Sequence, residues 1–383
     1  MPIIFSLLFV AAQSTPQDGL TLCAPMDSND SYLLDLSLNV VHTWTGSALP
    51  GDAAYLRENG NLVRTYKISG YPGSSFGGSG GGVQEFAWNG SVLWDFQYVA
   101  NTYHSHHDIA LTPAGNVFLL VWEDVSRAGA IAAGRDPSLI QGSSFWSEKI
   151  IELDPNTGSV IWEWRVWDHL VQDYSSSSPG YGVITDNPQL LDLNFPQEVP
   201  GQGDWLHCNS IDYSPVLDQL IMSCRNFDEI WVIDHSTTTA EAAGHSGGNS
   251  GKGGDILYRW GNPIAYGRGT NADRQFFQQH DTTWIADGLP GAGNILVFNN
   301  GNVRPTGAWS SVDELVPPVD TQGNYSLLPG ASFEPSAPVW SWFDSPPTAF
   351  FAPGLSGVQR LENGNTLITK GPFGYLLEVD SAG

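Results

Sequence analysis

Positive charge is scarce in this chain: 383 residues carry 15 Lys and Arg against 40 Asp and Glu, a formal net charge of -25 at pH 7. Nucleic-acid binding needs a basic footprint, so that class of partner is excluded. The same field repels anions, and an anion site would have to concentrate Arg and His locally; Arg225, Arg268 and Arg274 are the group to watch. Cysteine is nearly absent too, with three residues, too few for a disulfide scaffold. Cys208 and Cys224 are placed either to cross-link or to stay as buried thiols, with Cys23 left over. Long apolar runs are missing beyond the start, so no later segment is suited to cross a bilayer. At the start, Pro2 to Ala12 is apolar and ends in small residues, which fits a secretory signal core although no Lys or Arg precedes it. Residues 1–15 are read as a signal peptide and the protein as secreted or periplasmic. Helical 3.6-residue periodicity is also scarce.

What replaces it is short strands between Gly, Pro, Asn and Asp turns, in a chain with 43 Gly and 15 Trp. This is the pattern of an all-β protein. A unit recurs: a Gly-Asn turn and apolar strand, a strand ending in Asp, and a strand bearing Trp. Its clearest copy runs from Gly115-Asn116 through Lys149–Asp154 to Trp162 and Trp164. Others start at Gly60-Asn61, Leu220, Gly293-Asn294 and Gly364-Asn365, and Tyr32–Asp35 with Val41–Trp44 supplies half of one more. Six such units predict a six-bladed β-propeller, a single domain over residues 20–383. The recurring Trp residues are assigned to the packing between blades and given no chemistry. The last unit stops at Asp380, without its Trp strand. Either the amino-terminal part completes that blade or the sequence is a fragment, and the liability of an unpaired edge favours the fragment. The Gly/Ser tract Gly73–Gly82 and the stretch Gly244–Gly254 read as surface loops, and a long insertion over Asp168–Asp204 reads as a lid.

Chemistry concentrates at three strand starts: His107-Asp108-Ile109, His207-Cys208-Asn209-Ser210-Ile211 and His280-Asp281-Thr282. The second opens a hairpin that turns over Ser214–Asp218 and returns through Gln219–Cys224 to Arg225. An antiparallel register centred near Val216 sets His207 opposite Arg225 and Cys208 opposite Cys224, on opposite faces. Taken alone, a His and an Arg on a hairpin are more often solvated surface groups. Three histidines at corresponding points of the repeat shift that balance, because the innermost strands of a propeller converge on one axis.

The sequence resembles the arylsulfotransferase family from about His104 to Arg304. The motifs that carry the resemblance are His106-His107-Asp108-Ile109 with Gly115-Asn116, and Trp205-Leu206-His207-Cys208-Asn209-Ser210 with Ser223-Cys224-Arg225. Arg259-Trp260-Gly261-Asn262-Pro263 and Gln279-His280-Asp281 complete the set. The resemblance implies transfer of a sulfuryl group from an aryl sulfate donor to a phenolic acceptor, without a nucleotide, in a ping-pong cycle. It assigns His280 as the nucleophile that is transiently sulfated, Arg225 and His207 as the groups that bind sulfuryl oxygens, and His107 as the remaining polar group, suited to moving the phenol proton. His106 and His107 compete for the inward position, and alignment with the other histidines favours His107. No cofactor and no metal are expected, and the partners are small aryl sulfates and phenols.

Two other readings compete with this one. His104-Ser105-His106-His107-Asp108 is similar to the His-x-His-x-Asp-His run of metallo-hydrolases, but Ile109 stands where its last His belongs. A non-enzymatic propeller used as a binding or scaffold module would leave the histidines unexplained.

Overall fold

A computed structural model describes residues 6–7, 15–196 and 203–381. Six small sheets are arranged in a ring, as a six-bladed β-propeller. The first blade has three strands, Thr21–Cys23, Asp30–Leu34 and Val40–Thr45. The second runs from Pro50–Leu56 to Val92–Gln97, and the third from Tyr103–Leu111 to Ser159–Arg165. The fourth spans Cys208–Ser214 to Tyr258–Trp260, the fifth His280–Trp284 to Trp340–Trp342, and the sixth Gly357–Arg360 to Tyr375–Val379. Beside that last strand Ser6–Leu7 pairs in parallel with Tyr375 and Leu376. The rest of the apolar leader lies outside the described residues. No helix among the described residues is long and apolar enough to cross a membrane.

The repeat has a physical explanation at two levels. In the Gly-Asn turns the glycines hold φ values of +81° (Gly60), +100° (Gly115), +83° (Gly293) and +87° (Gly364), a region that side chains disfavour. Each following Asn reaches a Glu on the third strand of its own blade: Asn61 to Glu85 and Asn116 to Glu152 at 2.7 Å, Asn294 to Glu314 and Asn365 to Glu378 at 2.6 Å. Between blades the tryptophans act as expected. The indole N–H of Trp44 donates to Ala87 O, Trp162 to Thr237 Oγ1, Trp164 to Gly254 O, Trp260 to Pro335 O and Trp340 to Ser381 O. Each bond runs from one blade, or the segment after it, to the next. Trp44 and Trp164 are 1% exposed, so truncating either to Ala is expected to cost about 3–5 kcal/mol.

Nearer the axis, carboxylates join adjacent inner strands. Asp108 accepts from Ile211 N at 3.0 Å, Asp212 from Trp284 N at 2.8 Å, and Asp281 from Val358 N. Burial pushes Asp108 and Asp281 up to about 7.

Candidate active site

Four successive inner strands carry an irregularity at the end facing the histidines. The ladders slip between Pro50 and Ala54, His106 and Ile109, Cys208 and Ser210, and His280 and Thr282. A bulge re-aims side chains that a regular strand would send into the sheet. Non-glycine residues with positive φ gather here: His107 (46°), His207 (50°), Gln278 (63°) and Asp281 (50°). Such strained backbone persists only where the surroundings enforce it.

Next to its turn the hairpin is offset by one residue from the register centred on Val216, with Ser214 across from Gln219 and Ser210 across from Ser223, and the bulge at Asn209 absorbs the offset. Cys208 lies across from Cys224, the two are disulfide-bonded, and Arg225 N donates to His207 O at 3.2 Å. The cysteines sit in the core while His207 turns toward the axis. His107 and His207 meet edge to face with ring centroids 4.7 Å apart. Arg225 donates to Gln278 Oε1 at 2.6 Å and to Asn226 Oδ1 at 3.1 Å, which brings its guanidinium to the residue two before His280. Arg225 and His207 both act electrostatically on His280, and His107 feels His207, His280 and Arg225. The four residues singled out in the sequence therefore converge.

Their partners fix what each ring can do. His280 Nδ1 lies 2.7 Å from Asn300 Oδ1, and the Asn300 amide nitrogen donates to Ala352 O at 2.9 Å and Leu355 O at 3.2 Å. With the amide so anchored, its oxygen can only accept, so Nδ1 carries the hydrogen and Nε2 the lone pair. Burial, aided by the charges of Arg225 and His207, pushes the His280 pKa down to about 3 despite the Asn300 bond. The ring is thus neutral across the physiological range. His207 Nδ1 lies 2.5 Å from Asp204 Oδ2, which fixes its Nδ1–H tautomer and orients Nε2. His107 Nδ1 lies 2.8 Å from His106 Nδ1, and His106 Nε2 lies 2.8 Å from Glu148 Oε2. His106 itself stacks on Trp122 with centroids 3.8 Å apart. It is His107 that approaches His207, with His106 behind it.

The Gly/Ser tract is not a free surface excursion. His107 N donates to Gly78 O at 2.7 Å, and a Cβ on Gly78, whose φ is +79°, would fall 2.0 Å from His107 Nε2. Gly77 approaches His207 and Gly73 packs on His104. Glycine lets this loop lie directly over the rings. The insertion after Asp168, read as a lid, instead fills the outer seam between the third and fourth blades. Its Leu191 and Leu193 join the core there, and Pro188 O and Leu190 O accept from Arg259. Apolar Leu residues drive it into the seam, and among the described residues it reaches His207 through Asp204. Residues 197–202 of the insertion lie outside the described part.

Arg268 and Arg274 have other partners: Arg268 donates to Thr185 O, and Arg274 pairs with Asp228, whose other oxygen accepts from Gln278 N. The run His104–Asp108 does not converge on a point. His106 is bound to Glu148, and Asp108 accepts from Tyr55 Oη at 2.7 Å, from Ile109 N and from Ile211 N. Among the described residues the metal-like grouping is His169, His245 and Asp255, with donor atoms within 4.8 Å of one another. It sits at the rim, where Asp255 already accepts from both imidazoles. A cavity of about 290 Å³ lined by residues such as Pro188, Asp255, Tyr325 and Phe333 lies at the outer side of the fourth blade and contains none of the four convergent residues.

Several residues of the site were not singled out from the sequence. Asn300, Asp204, Gln278 and Glu148 hold the first group in place. Asp52, within the bulge of the second blade, has both carboxylate oxygens buried without a hydrogen bond. Burial raises its pKa, while Lys67 and His207 pull it down. The one available signal for Asp52 was its register, eight residues before Gly60, where His107 stands eight before Gly115.

Comparison with known proteins places these residues in context. Solved structures similar to the chain include a protein of unknown function from Bacteroides caccae, 11% identical, covering 96% of this chain and 92% of that one with a TM-score of 0.48. Hydrazine synthase from Kuenenia stuttgartiensis is similar at 11% identity, over 73% of this chain and 64% of that one, with a TM-score of 0.42. No curated protein matches the chain. The model of the arylsulfotransferase (ASST) family matches residues 57–329, a span that holds His107, His207, Arg225 and His280. The chain belongs to the arylsulfotransferase family.

Proposed function

We propose that the protein moves a sulfuryl group from an aryl sulfate to a phenolic acceptor in two steps, through a sulfated His280 and without a nucleotide. The observation that carries this reading is the state of His280: neutral, with its hydrogen held on Nδ1 by Asn300 and its lone pair on Nε2. In the first step Nε2 bonds to the sulfur as the sulfur–oxygen bond to the aryl group breaks. Arg225 holds sulfuryl oxygens through the transfer, where preorganised donors contribute most. His207, oriented by Asp204, is the second group that holds sulfuryl oxygens. In the second step the acceptor oxygen attacks the same sulfur and His280 is released. Export to an oxidising compartment belongs to the same proposal, supported by the apolar start of the sequence and by the Cys208–Cys224 bridge.

The test is intact and peptide mass analysis after incubation with an aryl sulfate and no acceptor. A gain of one sulfuryl group, mapped to His280 and discharged by adding a phenol, is expected. Release of donor phenol with no modified histidine would overturn the two-step reading.

A further inference from the structure

His107 does not end in solvent or in a backbone carbonyl. Its Nδ1 faces His106 Nδ1 at 2.8 Å, and His106 Nε2 faces Glu148 Oε2 at 2.8 Å. Glu148 Oε1 accepts from Cys208 N at 3.1 Å, which leaves Oε2 as the oxygen that can exchange a proton. The Glu148 side chain and that of His106 are fully buried. Two Nδ1 atoms at this distance share one hydrogen, so with both rings neutral the chain has two forms. With Glu148 ionised, His106 keeps its hydrogen on Nε2, His107 keeps its own on Nδ1, and His107 Nε2 is a lone pair. With Glu148 protonated, every hydrogen has moved one place and His107 Nε2 carries a hydrogen. The two forms differ by one proton, and neither contains an imidazolium.

Building on the transfer reading above, we propose that Glu148, acting through His106, is the reservoir for the proton that His107 exchanges with the phenols. In the first half-reaction the leaving aryl oxygen takes the hydrogen of His107 Nε2. His107 Nδ1 takes that of His106 Nδ1, and His106 Nε2 takes that of Glu148, which becomes a carboxylate. In the second, the acceptor phenol gives its proton to His107 Nε2 as its oxygen bonds to sulfur, the shifts reverse, and Glu148 is protonated again. No proton is gained or lost over the cycle. Glu148 and His106 never touch substrate, so they are positioning residues.

The surroundings favour this resting place. Burial holds His106 and His107 well below the usual imidazole range, and His207, His280 and Arg225 oppose a positive charge on His107. His104 and His207 do the same to His106. Burial and the charge of Asp204 hold Glu148 well above the usual carboxylate range, against the pull of the Cys208 N–H and of the Trp122 side chain. A proton delivered to His107 is thus most stable on the carboxyl.

A series of aryl sulfates whose phenols range from strong to weak acids tests the relay, with release of donor phenol followed in the first turnover without acceptor. Weakly acidic phenols need protonation on leaving; nitrophenols do not. Glu148→Gln is expected to slow the weakest-acid donors about 100-fold more than a nitrophenyl donor, giving a steeper dependence on phenol acidity. A loss of shape alone would slow all donors alike. On the unaltered protein, a solvent deuterium effect is expected with weak-acid donors and not with the nitrophenyl one. A common slope for both proteins, or no deuterium effect with any donor, would overturn the relay while leaving transfer intact. Absence of any first-turnover burst in the unaltered protein would overturn the transfer reading and the relay together.

Discussion

Two buried histidines face the same axis from the fifth and third blades, and they are supported in opposite ways. His280 leans on Asn300, an amide that is anchored to the backbone of the sixth blade and can neither gain nor lose a proton. His107 leans on a second imidazole and, through it, on a carboxyl. Both rings are kept neutral by burial, so their difference lies in what stands behind them. An amide locks one tautomer and commits Nε2 to a single role as nucleophile. A carboxyl at the end of a hydrogen-bonded pair lets Nε2 alternate between donor and acceptor. In the proposed cycle the same side chain in the same ring thus serves covalent or proton chemistry according to its neighbour.

The sharpest way to break this contrast is His280→Ala. It is expected to lower transfer by on the order of 10⁴-fold or more and to abolish covalent sulfation, measured by turnover and by mass. Retained sulfation would move the nucleophile elsewhere. Arg225→Lys keeps the charge but loses the planar fork, and a fall of about 10²–10³-fold in kcat/KM is expected, with rescue by neither pH nor salt. Asn300→Ala leaves His280 free to choose its tautomer. Phenol release in the first turnover is expected to slow by about 10–100-fold with little change in donor KM. Gly78→Ala, which adds a Cβ at φ +79° against His107, is expected to lower stability by about 1–2 kcal/mol, read as a shift in denaturant midpoint.

The smallest expected effect is none. His280 is active as the free base, which is present above its pKa and lost only as pH falls through about 3. The rate of His280 sulfation with a nitrophenyl donor is therefore expected to stay flat for His280 between pH 5 and 8. Because the Asn300 bond raises that pKa, removing it moves the limb further down. A limb near 6.5 that shifts upward in Asn300→Ala would contradict this assignment.

Much of this architecture is legible in the sequence, and for local reasons. The Gly-Asn turns and alternating runs specify strands, and the Ser214–Asp218 turn specifies the hairpin, but it is the bulge at Asn209 that brings Cys208 across from Cys224 and His207 beside Arg225. The partners are hidden because they come from different periods of the chain. Glu148 lies in Trp146–Asp154, a strand buried on both faces, where no alternation distinguishes an inward carboxylate from its neighbours. Asn300 follows a wholly buried strand and shows its role only against the sixth blade. The bulges leave no mark in composition. The glycines of Gly73–Gly82 read as a surface loop, whereas their lack of side chains is what admits them above the rings.

The indole bonds between blades all point the same way round, each from a blade or its tail to an acceptor further along the chain. The ring therefore has a sense of direction. Were the second, fourth, fifth or sixth blade to detach, its predecessor would be left with a donor and no acceptor. Blades so linked have little to gain by opening singly, and melting is expected as one transition whether followed by tryptophan fluorescence or by backbone dichroism. The sub-ångström tolerances of the axis, where four blades each contribute a side chain, are in this sense set at the rim.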